Sequence, residues 1–230
     1  IVGSVHRMQG CFGIVCPTAN DGVINYYRHI RCKFSQAAKA GHMSGEIDFD
    51  DGLTDAEVSA VESRFSFRFP PDLRSFLQCA LPVSEGFPDW RRGAEPDLQH
   101  MLDTPLDGIL FDVENNGFWL PEWGPRPVAL ADAQEAVRGL IAAAPKLIPI
   151  YYHRMIPDRP HAAGNPVFSV HQTDIIYYGC DLRDYLLHEF LCASPGTWPM
   201  FDACLRKIEF WDLERFATRW DFGGGANPAK

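Results

Sequence analysis

The sequence predicts an α+β fold with helices packed on one antiparallel-rich sheet. Three observations predict it. Apolar residues recur at helical spacing near both ends of the ordered-looking region. Short β-type runs cluster between them instead of alternating with helices. No nucleotide-binding Gly-rich signature follows any strand-like run. The chain has 230 residues, a length that suits one domain with or without an appendage.

Leu53-Thr54-Asp55-Ala56-Glu57-Val58 combines a capping box with a hydrophobic staple, and Val58, Val61 and Phe65 continue a helical stripe. Phe69-Pro70-Pro71 ends that element, and Pro71 suits the first turn of a second helix. Leu73, Phe76, Leu77 and Ala80 form the buried stripe of that helix, up to Pro82. Residues 83–108, rich in Gly, Pro and Asp, read as an irregular loop. Ile109-Leu110-Phe111-Asp112-Val113-Glu114, Asn115-Asn116-Gly117 and Phe118-Trp119-Leu120 read as a β-hairpin, because Asn-Gly between apolar runs tolerates positive φ. Three prolines in 121–127 stop strand pairing there.

Asp132 and Glu135 open a second capped helix carrying Val137, Leu140 and Ile141, stopped by Pro145. Residues 147–152 form a strand with Pro149 at an edge or entry position. Asn165-Pro166 turns the chain into strand 167–170, and Ile175-Ile176-Tyr177-Tyr178 is the next strand, closed by Gly179. Asp181 caps a helix with Leu182, Tyr185, Leu186 and Phe190 on one face. A last helical stretch holds Phe201, Leu205, Ile208, Trp211, Leu213 and Phe216, and 221–230 is a frayed tail.

Charge divides the chain. It holds 21 basic and 30 acidic side chains, a formal −9. Residues 1–42 contain Arg7, Arg28, Arg31, Lys33 and Lys39 against Asp21, a net +4. That leaves 16 basic and 29 acidic side chains in 43–230, a net −13. Such acidity argues against nucleic acid or an anionic membrane as the main partner and favours a basic protein. No run of about 18 apolar residues is present. Seven scattered cysteines fit a reducing compartment, so a cytoplasmic location is expected. Gly41-His42-Met43 looks like a cloning junction ahead of a natural start at Met43. Residues 1–42 therefore read as an extension of doubtful origin: a cloning remnant, a misread upstream frame or an N-terminal element.

Enzyme signatures are sparse. The P-loop, the G-x-S-x-G elbow and H-E-x-x-H are missing, and Ile1-Val2-Gly3 has no Gly-Asp-Ser-Gly downstream to make a trypsin-like protease. Cys11, Cys16, His29 and Cys32 have a loose zinc-like spacing, against the plainer reading of reduced thiols. On a strand, Asp112 and Glu114 share a face and offer a carboxylate pair for acid/base or metal work; a solvated sheet face is the commoner meaning. His153, His171, Asp174 and His188 lie near strands without a nucleophile at matching spacing. His171-Gln172-Thr173-Asp174 reads as a turn whose side chains satisfy its own backbone. Phe118, Trp119 and Trp123, with Trp90 upstream, read equally as a core cap or an interface anchor rimmed by Glu122 and Arg126.

Leu53-Thr54-x-x-Glu57 followed by Phe69-Pro70-Pro71-Asp72-Leu73-Arg74-Ser75-Phe76-Leu77 resembles the opening of the SUKH superfamily, named for the fungal Smi/Knr cell-wall-assembly regulators. Phe69 stands for the family's Leu and Leu73 for its aromatic. Residues 111–119 and 164–179 look like a bacterial subgroup. The resemblance covers roughly 47 to 190, does not reach 1–42 and weakens beyond 195, giving a SUKH-like domain over 43–220. It implies the α+β fold with no known catalytic residue, no cofactor and no metal. It also implies a binding way of life: many bacterial members look like immunity proteins that neutralise a cognate polymorphic toxin. The expected function is thus a non-enzymatic protein-binding domain that neutralises a basic toxin, as a monomer or weak dimer. The expected contacts are Glu114, Trp119, Glu122, Trp123 and Asp174. A regulatory scaffold without a toxin is the alternative, and a small metal-dependent hydrolase using Asp112, Glu114 and nearby histidines is a third reading.

Overall fold

The computed structural model describes residues 47–190 and 206–211. The architecture is α+β, as the sequence predicts. Strand β1 (Phe49–Asp51) is followed by helices α1 (Asp55–Phe65) and α2 (Pro71–Cys79) and by strand β2 (Ala80–Pro82). Helix α3 (Glu95–Asn115), a 3-10 turn (Pro121–Trp123) and helix α4 (Leu130–Ala143) come next. Strands β3 (Leu147–Tyr151), β4 (Arg154–Pro157), β5 (Val167–His171) and β6 (Asp174–Gly179) lead to helix α5 (Leu182–Phe190).

Two antiparallel sheets form. β1 pairs with β2, and the larger sheet runs in simple meander order β3-β4-β5-β6. Pro149 lies on an edge strand, where its missing N–H costs no ladder bond. Strand alternation then splits the interior in two. Ile148, Ile150, Ile156 and Val167 face α1, α2 and α5, packing with Val58, Phe65, Phe76, Tyr185 and Leu186. Leu147, Met155, Phe168, Val170 and Ile175 face α3 and α4, packing with Ile109, Val113, Ala133 and Val137.

The N-terminal signals are realised. Thr54 accepts the Glu57 amide at 3.2 Å, and the Glu57 carboxylate accepts the Thr54 amide at 2.7 Å. Arg91 adds a 2.5 Å ion pair to Glu57 and donates to the carbonyls of Asp51 and Gly52. These bonds hold the Glu57 carboxyl down at about 2. Asp181 caps α5 by accepting the Asp184 amide at 2.7 Å, and the Asp184 carboxylate accepts the Cys180 amide at 3.0 Å.

Four expectations are corrected. First, 95–115 is one helix, not a loop followed by a hairpin arm. Pro96 sits in its first turn, where a missing N–H is free, and Leu98, Pro105, Ile109 and Val113 make a buried stripe at helical spacing. Second, Asn115-Asn116-Gly117 is a helix stop. The amides of Asn116 and Phe118 both donate to the Asp112 carbonyl at 3.0 Å, and Gly117 takes φ 63°. Left-handed tolerance serves a hairpin turn and a helix end alike. Third, α4 begins at Leu130, two residues before Asp132, with no side-chain cap. Fourth, 206–211 is irregular rather than helical, although Ile208 and Trp211 are buried. The Trp211 indole donates to the Pro145 carbonyl at 2.7 Å, and Arg206 donates to the buried Asn165 side chain at 2.6 Å. Strands β1, β2 and β4 add to the predicted set. The rest of the last helical stretch, the tail and the Cys11/Cys16/His29/Cys32 set lie outside the described residues.

Candidate protein-binding surface

The C-terminal half of α3 organises the surface. Its 21 residues contain six acidic side chains (Glu95, Asp97, Asp103, Asp107, Asp112 and Glu114) and no Lys or Arg. Asp112 turns inward. Its carboxylate, 1% exposed, accepts the Thr173 amide at 3.0 Å, the Thr173 hydroxyl at 2.6 Å and the Asn116 side-chain amide at 2.5 Å. That grip fixes α3 to the β5–β6 turn, where Gln172 takes φ 55°. Gly108 permits the approach: a Cβ there would lie 2.6 Å from the Gln172 Cα.

Asp112 and Glu114 therefore do not pair. Two residues on a helix are separated by roughly 200°, so Asp112 is buried while Glu114 reaches solvent. The carboxylate pair invoked for a hydrolase does not exist in this geometry. Glu114 is joined to α4 instead, accepting from the Gln134 amide at 3.3 Å.

Trp119, Glu122 and Trp123 follow directly after the helix. The Trp119 indole donates to the Gly124 carbonyl at 2.8 Å, and its ring meets Trp123 edge-on at 5.3 Å. Trp123 stacks on Phe210 at 6.4 Å and meets Phe118 at 5.6 Å. Both indoles are half-buried, so they cap the core and show only part of their surface; Glu122 is exposed between them. Arg126 spends one nitrogen on the Val113 carbonyl at 2.7 Å. The grouping with Trp90 is corrected: Trp90 is 3% exposed in the other core, edge-on to Phe69 at 5.4 Å.

Asp174 is carried by the turn that Asp112 grips, opposite His171 in the ladder. The structure thus brings Glu114, Trp119, Glu122 and Trp123 to one end of α3 and places Asp174 beside the same helix, across the Thr173 contact. His171 lies near His153, whose pKa is lowered by burial, then by Arg154 and His171. His188 sits apart on α5, bound to Asp184. Among the described residues no three His, Cys, Asp or Glu side chains group as a metal site requires.

One residue escaped the sequence reading. Phe111 is 48% exposed in the middle of the solvent arc of α3. Read as a strand, 109–113 gave it no special place; read as a helix, it falls between Asp107 and Glu114. The clefts are modest by comparison. One of about 180 Å³ lies between α3, α4 and Trp211, below the range of ordinary small-molecule sites. A wider hollow of about 480 Å³ sits at the end of α4, but its Arg159 donates to the carbonyls of Ala143 and Ala144. Among the described residues no helix is long and apolar enough to cross a membrane. Compared with family models, curated proteins and solved structures, the chain matches none.

Proposed function

We propose that this chain is a non-enzymatic protein-binding domain of the SUKH type, acting in the cytoplasm by direct binding to a basic toxin domain that it neutralises. The supporting observation is α3, a long helix with six acids, no Lys or Arg, and Glu114 in its last turn. An acid at that end opposes the negative pole of the helix dipole, so it is placed against the interest of the helix itself. A cationic partner would offset the repulsion and would be steered by the same field. Glu114, Glu122 and Asp174 supply charge, and the exposed edges of Trp119 and Trp123 supply contact area.

The test is co-expression with each protein encoded beside this one. The expected outcome is a complex that survives purification with one basic neighbour, together with rescue of growth when that neighbour is toxic. If no neighbour binds and none is relieved of toxicity, the reading fails.

A further inference from the structure

We infer that Phe111, Asp107 and Glu114 form a receptor for an arginine side chain of a protein partner. The proposal rests on the basic-partner reading above and names the group recognised.

On a helix, positions 107, 111 and 114 follow one another at four and three residues, which brings neighbouring Cβ atoms to about 5–6 Å. The phenyl ring therefore stands on one surface strip with a carboxylate on the turn before it and another on the turn after. Among the described residues the fold makes one hydrogen bond to the side chains of this strip, from Gln134 to Glu114. Phe111 is 48% exposed, whereas Ile109 and Val113 on the other side of the helix are buried. Asp107 and Glu114 form no ion pair among the described residues, while Asp50, Asp55, Glu57, Asp158 and Glu189 all do. Around the strip, Asn115 donates to the Phe111 carbonyl, Gln134 reaches Glu114, and Arg126 donates to the Val113 carbonyl.

Charge complementarity selects the occupant. An aromatic face attracts a cation, and flanking carboxylates hold it there. A guanidinium suits both features better than an ammonium, because it is planar, stacks on the ring and keeps N–H groups in its plane free to meet carboxylates on either side. The same molecule already uses this combination internally: Arg154 lies over the Tyr178 ring at 3.5 Å and forms an ion pair with Glu189 at 3.8 Å.

The probes are two synthetic peptides of equal charge, one built from Arg and Gly and one from Lys and Gly, titrated into the full chain at about 0.15 M salt and followed by amide NMR. The Arg peptide is expected to bind about threefold tighter than the Lys peptide and to shift the amides around 107–115. Phe111→Leu keeps apolar bulk and helix propensity but removes the π face. It should erase the Arg preference, and Asp107→Asn with Glu114→Gln should weaken both peptides. Equal binding of the two peptides to the unmodified chain, or a preference that survives Phe111→Leu, overturns the receptor and leaves a basic partner elsewhere on the surface. Binding of neither peptide overturns the receptor and the basic-partner reading together.

Discussion

Replacing Asp112 with Ala should cost about 3 kcal/mol of stability, and the figure follows from the groups it leaves behind. The carboxylate accepts from the amide and the hydroxyl of Thr173, a residue that is itself 1% exposed. Each buried donor left without a partner costs about 1–3 kcal/mol. The third donor, on Asn116, belongs to an exposed residue and returns to water. Relief from burying the carboxylate offsets part of the loss. In a chain of this size about 3 kcal/mol corresponds to a fall in Tm of roughly 6–12 °C. Thr173→Val removes the hydroxyl alone and should cost about 1 kcal/mol. In the double variant only the Thr173 amide is stranded, so its cost should fall short of the sum of the single costs by about 2 kcal/mol. Urea unfolding followed by tryptophan fluorescence measures all three, with an unchanged m-value as the control. A cost for Asp112→Ala below about 1 kcal/mol, or additivity within about 0.5 kcal/mol, would refute the view that this carboxylate fastens α3 to the sheet.

Three further outcomes are expected. Gly108→Ala should destabilise the protein although Ala is the better helix former by about 1 kcal/mol, because its Cβ meets the Gln172 backbone at 2.6 Å; a rise in Tm would contradict the close approach. An NMR titration should place the Glu57 carboxyl near 2, and Arg91→Ala should move it back toward 4.5. Since its folded pKa is depressed, the stability it contributes is complete above about 4.5 and is lost as pH falls toward 2, so Arg91→Ala should flatten that part of the acid unfolding profile. Trp211→Ala should cost about 3–5 kcal/mol through the emptied core site and the lost bond to Pro145; a cost below about 1 kcal/mol, read by chemical denaturation, would show that 206–211 is not part of the folded unit.

Much of the fold was legible because its signals are local. The Thr54–Glu57 box, the Asp181 cap and the runs at 147–151, 167–171 and 174–179 each declare themselves within a few residues. Helix α3 was not legible, and its own composition explains why. Pro96, Pro105 and Gly108 are poor helix residues. The Asn-Gly pair reads as a hairpin because the same positive φ ends helices. Only the long stripe Leu98, Pro105, Ile109, Val113, buried against the sheet, decides for a helix, and that burial is a tertiary effect. The candidate surface suffered accordingly. Glu114, Trp119, Glu122 and Trp123 stand out in the sequence as acids and aromatics, and only the helix brings them to one end of α3. A period of two makes Asp112 a partner of Glu114, whereas the helical period of 3.6 makes it a buried fastener.

The division of labour along α3 carries a consequence for how such a protein changes. Positions 105, 108, 109, 112 and 113 answer to the sheet, while 107, 111 and 114 answer to solvent. Chains descended from a common ancestor and matched to different partners should keep the first set and vary the second. Divergence would then appear as a comb, with teeth three or four residues apart along one helix. Exchanging that comb between two such chains should transfer partner choice while leaving the unfolding midpoint nearly where it was.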